Sequence, residues 1–316
     1  MANDLTFGLL TGATAPAEVH ALEELDYDAL WVGGHVASRN PSPEALMQLA
    51  RLVALTTRVR VGTSVLLLPL YPPAIVAKQL ADLDRVSGGR VTLGVGVGGE
   101  YPQEFDACGV PLGGRGARTD EAIALMRRLW TSEEIAFEGR FHRMGPVRIH
   151  PPPVQPGGPP IVVAGRRSPA MRRAATLGDG WMPYLYSPER YAASVAEVRA
   201  HADAAGRRLA GFAWMAFVFV NVAERAADAR ADAAAFFGGT FRQDVDGFLD
   251  RVAAVGTAAH VAERLAAFVE AGARHLIIAP ATSGDAARFA RCVASEVRPL
   301  VESAFRSRAV TAPTAV

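Results

Sequence analysis

Apolar residues along this chain gather into short continuous runs, and between the runs they recur every three or four positions, the alternation expected of buried strands and amphipathic helices. The segment from Arg58 to Glu100 shows it most completely. The apolar run Arg58 to Leu68 leads to Pro72-Pro73, after which Ile75, Val76, Leu80 and Leu83 share one helical face until Ser87-Gly88-Gly89 closes the helix. A second run, Arg90 to Gly98, ends in glycines at alternate positions.

The pattern extends both ways. Strands are predicted at Phe7 to Leu10 and Tyr27 to Val32, with helices after them over Pro16 to Leu25 and from Ser42 to about Thr56. Further on, a helix over Gly116 to Trp130 is followed by strands at Ile161 to Ala164, Gly180 to Tyr184, Phe212 to Val222 and His275 to Ala279. Between and after these strands, helices are predicted over Ser168 to Leu177, Ser187 to about Ala205, Ala223 to Phe236, Val245 to Val255, Ala258 to Ala271 and Gly284 to about Val301. Eight strands, nearly all followed by helices, predict a (β/α)₈ TIM barrel rather than an open doubly wound sheet. Two insertions, near 131 to 159 and 235 to 256, are expected to decorate it as helical excursions. Residues 1 to 306 read as a single domain, and 307 to 316 as a flexible tail.

Composition narrows the partners. Half of the 316 residues are hydrophobic and the formal net charge is +1, so the chain can bury a large core and offers no bulk attraction to nucleic acid or an anionic membrane. The two cysteines, Cys108 and Cys292, lie far apart without metal-ligand spacing, and no metal site is predicted. With no export signal or membrane-length apolar run in view, the expected setting is the cytoplasm and the expected partner a small molecule.

In such barrels reactive groups sit where strands end and loops lead into helices. His35 is the histidine that directly follows an apolar strand there, with Gly33 and Gly34 before it; it is placed to exchange a proton, and the position suits a loop or helix-capping histidine as well. Glu100 follows the next-but-one strand and reads either as an acid or as the acidic first residue of a helix. Thr63, Ser64 and Val65 end the strand between. Gly94, Gly96, Gly98 and Gly99 leave one strand face without side chains, which a planar ring can approach or neighbouring strands can pack against. Gly165, Arg166, Arg167 and Ser168 place a turn, two cations and a hydroxyl at a helix start, either a phosphate grip widened by Arg172 and Arg173 or a capped helix with solvated arginines. Leu67, Leu68, Tyr71, Trp181 and Tyr184 give the expected mouth a hydrophobic lining. Motifs for nucleotide hydrolysis, triad hydrolysis and metallopeptidase chemistry are not found.

Taken together, LWVGGHV at 30 to 36, VRVGTSVLLLPLYPP at 59 to 73, KQLADLDRVSGGRVTLGVGVGGEYPQEFDACGVP at 78 to 111, RTDEAIALMRRLW at 118 to 130, PPIVVAGRRS and AATLGDGWMP resemble the bacterial luciferase-like monooxygenases, especially their coenzyme F420-dependent branch. The resemblance spans nearly the whole chain. It implies a homodimeric barrel holding F420, or alternatively FMN, at its C-terminal mouth, with a separate reductase or F420-reducing dehydrogenase supplying reduced cofactor. It further implies a non-proline cis peptide at Ser64-Val65 behind the ring, His35 as the active-site histidine, Glu100 as a proton donor, and Gly165 to Ser168 as the phosphate loop. The implied activity is hydride exchange between F420 and a small, partly hydrophobic substrate. An FMN-dependent monooxygenase and a barrel that merely binds flavin are the alternatives. Related sequences often carry Asp where this chain has Gly34, and His-Pro near Pro72.

Overall fold

The computed structural model describes residues 5–38, 42–241 and 247–311. It opens with β1 (Thr6–Leu10), α1 (Pro16–Glu24), β2 (Ala29–Val32), α2 (Ala45–Leu55), β3 (Arg60–Thr63), the two-residue β4 (Leu66–Leu67), α3 (Pro73–Ser87) and β5 (Val91–Gly96). A short α4 (Gln103–Ala107) and α5 (Arg115–Leu129) lead to a hairpin of β6 (Ile135–Glu138) and β7 (Arg143–Val147). Then come β8 (Ile161–Ala164), α6 (Ser168–Leu177), β9 (Gly180–Met182), α7 (Pro188–Ala204), β10 (Ala213–Val222), α8 (Ala226–Phe241), α9 (Phe248–Val252) and β11 (Ala253–Gly256). The chain closes with α10 (Ala258–Glu270), β12 (His275–Pro280), α11 (Ala286–Cys292), a π turn and α12 (Arg298–Thr311).

Strands β1, β2, β3, β5, β8, β9, β10 and β12 pair in parallel in that order, and β12 returns to β1. The fold is the predicted eight-stranded barrel with its helices outside. Alternation along each strand sorts the two faces. Phe7 and Leu9 point out beneath the helices, whereas Gly8 and Gly62 point into the lumen, where Trp31 lies against both. A methyl group at Gly62 would stand 2.5 Å from the Trp31 ring, so these glycines make room for the indole. Trp31, Val162, Met182, Met215 and Ile277 fill the barrel and form the apolar floor beneath its mouth.

Both insertions differ from the helical excursions expected. Within 131 to 159 the chain forms the antiparallel β6–β7 hairpin. Glu121 on α5 holds its turn by accepting the N–H groups of Arg140, Phe141 and His142 at 2.8, 2.9 and 2.6 Å. In the second insertion, part of the predicted Val245–Val255 helix is the strand β11, and residues 242–246 lie outside the described residues. β9 pairs with β10 only at Ala213 and Trp214, which leaves the upper edge of β10 open, and Ala253 to Gly256 takes that edge from Phe219 to Val222. An open row of backbone groups outweighs the helical preference of two alanines. The closing helix runs on to Thr311, past the predicted start of the tail at 307; residues 312–316 lie outside the described residues.

The string LD followed by SGGR builds the end of the barrel opposite the mouth. Asp84 is fully buried and accepts Val154 N, Gln155 N and Gln155 Nε2 at 2.8, 2.9 and 2.7 Å, tying the segment after the hairpin to α3. Gly88 caps α3 at φ 67°, in the left-handed region. Arg90 donates to Thr56 O at the end of α2 and to Val59 O just before β3, each at 2.7 Å. Replacing Asp84 with Ala strands three donors and is expected to cost about 3 kcal/mol, read as a lower midpoint in denaturant with the barrel's circular dichroism otherwise retained.

Candidate active site

The two halves of the strand predicted over Arg58 to Leu68 are separated by a bulge. β3 ends at Thr63, the Ser64-Val65 peptide is cis, and β4 then pairs with β5 through Leu66 and Leu67. Ser64 N donates to Val32 O at 2.6 Å, and Ser64 Oγ meets Met182 Sδ at 3.5 Å, so the bulge is tied to β2 on one side and to β9 across the lumen. Gly33 fits against it closely: a Cβ there would lie 2.8 Å from Ser64 O.

His35 follows in the β2–α2 loop with its ring partly open to solvent. Its Nδ1 lies 3.1 and 3.2 Å from the two carboxylate oxygens of Glu104 on α4. The same carboxylate accepts Val36 N at 2.8 Å and Ala37 N at 3.3 Å and is wholly buried. An ionised carboxylate only accepts, so in a neutral ring Nδ1 carries the proton and Nε2 is left as the acceptor. The ring edge of His35 packs at 84° against Tyr101, 5.0 Å between centroids. Glu100, the carboxylate predicted for this site, is exposed in the same loop, and Glu104 takes the place beside the histidine.

Gly34, where an Asp was the family expectation, has its Cα against the backbone at Pro43 and Ala45, and a Cβ would fall 2.6 Å from Ala45 N. No side chain fits there. The acid that meets His35 comes instead from α4, across the β5 loop. Sequence reading passed over Glu104 because it sits in a five-residue helix with no periodicity; the signal available was its spacing, four residues after Glu100 and directly before the buried Phe105.

Other predicted residues divide by what they touch. Thr63 is fully buried and donates to Gly94 O at 2.7 Å, so its hydroxyl joins β3 to β5. The bare face expected on β5 is narrower than the glycines imply. A Cβ on Gly96 would stand 2.7 Å from Val65 Cγ2, one on Gly98 3.2 Å from Phe105, and one on Gly99 2.9 Å from Arg115 Nε. Gly98 O accepts Arg115 Nε at 3.1 Å, which fixes the loop between β5 and α4. Leu68 and Trp181 are buried in the core shared with the helices and do not line the mouth, whereas Tyr184 carries the Arg166 guanidinium 4.6 Å above its ring.

Gly165, Arg166, Arg167 and Ser168 form the β8–α6 turn, with Arg167 and Ser168 exposed and no side chain capping the helix. Ser168 Oγ lies 3.2 Å from His201 Nε2. Arg173, one turn on, is buried against Asp120 and is not part of a basic surface.

With the bulge, the His35 loop and the β8–α6 turn all at one end of the barrel, the comparisons with known proteins apply to the same region. Residues 11–275 match the model of a family described as luciferase-like monooxygenase. The chain belongs to that family. This luciferase-like protein is similar to the F420-dependent glucose-6-phosphate dehydrogenase of Kineococcus radiotolerans, 34% identical over 166 residues, 51% of this chain and 49% of the relative. It spans about half the length of the curated relatives it matches, 57% for an uncharacterized protein of Mycobacterium tuberculosis that is 40% identical over 167 residues, or 53% of this chain. Among solved structures it resembles monooxygenase RslO1 from Streptomyces bottropensis, with TM-score 0.79 and 27% identity over 93% of this chain and 99% of that one. An F420-dependent secondary alcohol dehydrogenase shares the fold, with TM-score 0.83 and 20% identity over 94% and 99% of the two chains. Among the described residues, no helix is long and apolar enough to cross a membrane.

Gly34→Asp, the residue that the family resemblance led one to expect, should destabilise this luciferase-like barrel by at least about 2 kcal/mol, because its Cβ overlaps backbone that cannot turn away. Thermal unfolding of that variant beside Gly12→Asp, where a Cβ meets nothing within 4 Å, checks it: only the first should lose stability.

Proposed function

We propose that this protein is an oxidoreductase that takes coenzyme F420 at the barrel mouth and exchanges a hydride with a small, partly hydrophobic organic substrate. The observation that carries the reading is the His35–Glu104 pair, a proton-handling imidazole held at 3.1 Å by a buried carboxylate beside the Ser64-Val65 bulge. The F420-dependent relative and structural neighbour support the choice of cofactor.

The donors present suit a phosphate-bearing flavin or deazaflavin. At the β8–α6 turn, two arginines adjoin an uncapped helix start, a combination that attracts phosphate. At the other side, Val65 and the Ser64-Val65 peptide offer a flat apolar surface over the Trp31 floor. F420, when bound, supplies a two-electron hydride carrier. The chain's own part is to orient and to move a proton. Glu104 holds Nδ1–H of His35, and Nε2 takes the proton of a substrate hydroxyl or, in the reverse direction, returns it. The apolar floor excludes water from the hydride path.

A second reading is an FMN-dependent monooxygenase fed by a separate reductase; the likeness to the monooxygenase RslO1 over 93% of the chain favours its monooxygenase part. A homodimer and a partner that reduces the cofactor belong to either reading. Titration of the purified protein with F420 and with FMN, followed by the cofactors' own fluorescence, separates them. The F420 reading expects F420 to bind at least about tenfold more tightly than FMN, and the opposite order overturns it.

A further inference from the structure

The β8–α6 turn has a feature that its sequence does not show. Trp181 Nε1 donates to Gly165 O at 3.0 Å, Tyr186 OH donates to Arg166 O at 3.0 Å, and Arg190 Nη2 reaches the same carbonyl at 3.2 Å. Trp181 is fully buried and Tyr186 is 2% exposed, so both donors come from the packed side of the turn. They form one aromatic wall: Trp181 meets Tyr186 edge-on with centroids 5.9 Å apart, and the Arg190 guanidinium lies 4.3 Å above the Tyr186 ring. Tyr186 OH also lies 3.3 Å from Ser194 Oγ on α7, which fixes the phenol from behind.

A trans peptide is planar, and its C=O and N–H point in opposite directions. Pulling the carbonyls of Gly165 and Arg166 toward the wall therefore turns the N–H groups of Arg166 and Arg167 away from it. Among the described residues, the N–H groups of Arg166, Arg167 and Ser168 donate to no backbone or side-chain acceptor. The two N–H groups of Arg166 and Arg167, turned away from the wall at the start of α6, make a concave anion seat.

We propose that Trp181 and Tyr186 are positioning residues for the cofactor phosphate: their hydrogen bonds hold two carbonyls inward so that the N–H groups of Arg166 and Arg167 stay aimed at the anion. The inference rests on the reading that a phosphate-bearing cofactor occupies this turn. Without the Tyr186 hydroxyl the Arg166 carbonyl keeps only the longer bond from Arg190, so the Arg166–Arg167 peptide is held less firmly and its carbonyl can turn toward the phosphate and repel it. Tyr186→Phe keeps the ring, its packing on Trp181 and the Arg190 stack, and removes only the donor. Trp181→Phe removes the second donor.

The test compares cofactors that differ in the phosphate group: FMN against riboflavin, and F420 against its phosphate-free deazaflavin chromophore. Affinities are measured by fluorescence titration on the wild type and both variants, with melting temperatures as a control for folding. The wild type is expected to bind the phosphate-bearing member of at least one pair more tightly, and Tyr186→Phe to lose about tenfold of that preference while its affinity for the phosphate-free member holds. A preference unchanged in Tyr186→Phe, or an equal loss for both members, overturns the positioning role while leaving the phosphate placement standing. A wild type that makes no distinction within either pair overturns both. Should Trp181→Phe fail to fold, the Tyr186→Phe result decides alone.

Discussion

A carboxylate taken fully out of water must have its charge met by donors, since leaving it unpaired costs several kcal/mol. Glu104 is in that position, and its donors are His35 Nδ1 and the backbone N–H groups of Val36 and Ala37. One side chain therefore joins the β2–α2 loop to α4 and sets the ring of the histidine. The neighbouring Phe105 is equally buried and lies beneath Gly98, so the short α4 secures the β5 loop with its next residue. Ring orientation, loop closure and the mouth of the barrel all follow from how that carboxylate is satisfied.

The barrel separates stability from chemistry along its axis, as expected for this architecture. At the lower end, Asp84, Ser87, Gly88 and Arg90 bind helix ends and a returning segment. At the upper end, the bulge at Ser64-Val65, the His35 loop and the β8–α6 turn come from three different strands. The chain matches its family over residues 11–275, a span that takes in both ends of the barrel.

Most of the fold was legible because parallel barrel strands are buried on both faces and read as continuous apolar runs. The exceptions are physically distinct. β6 and β7 are short, largely exposed and held by Glu121 from another element, so no apolar run announces them. β11 is Ala-Ala-Val-Gly, a string with no strand character until the open edge of β10 is known. In the site, His35 could be placed because it follows a strand directly, and the Ser64-Val65 bulge because the family resemblance implied it. Glu104 could not, since its partner is 69 positions away and only the closed barrel brings them together. Gly34 is the instructive case: as a missing Asp it looked like a loss, and in three dimensions it is a position where backbone leaves no room.

The central claim is that Glu104 sets the proton on His35, and nitrogen NMR of the His35 ring tests it directly, at a pH where the ring is neutral. The account predicts a proton on Nδ1 and a bare Nε2 in the wild type, with that tautomer losing its dominance in Glu104→Gln. A wild-type ring protonated on Nε2, or a tautomer indifferent to the loss of the carboxylate, would contradict it.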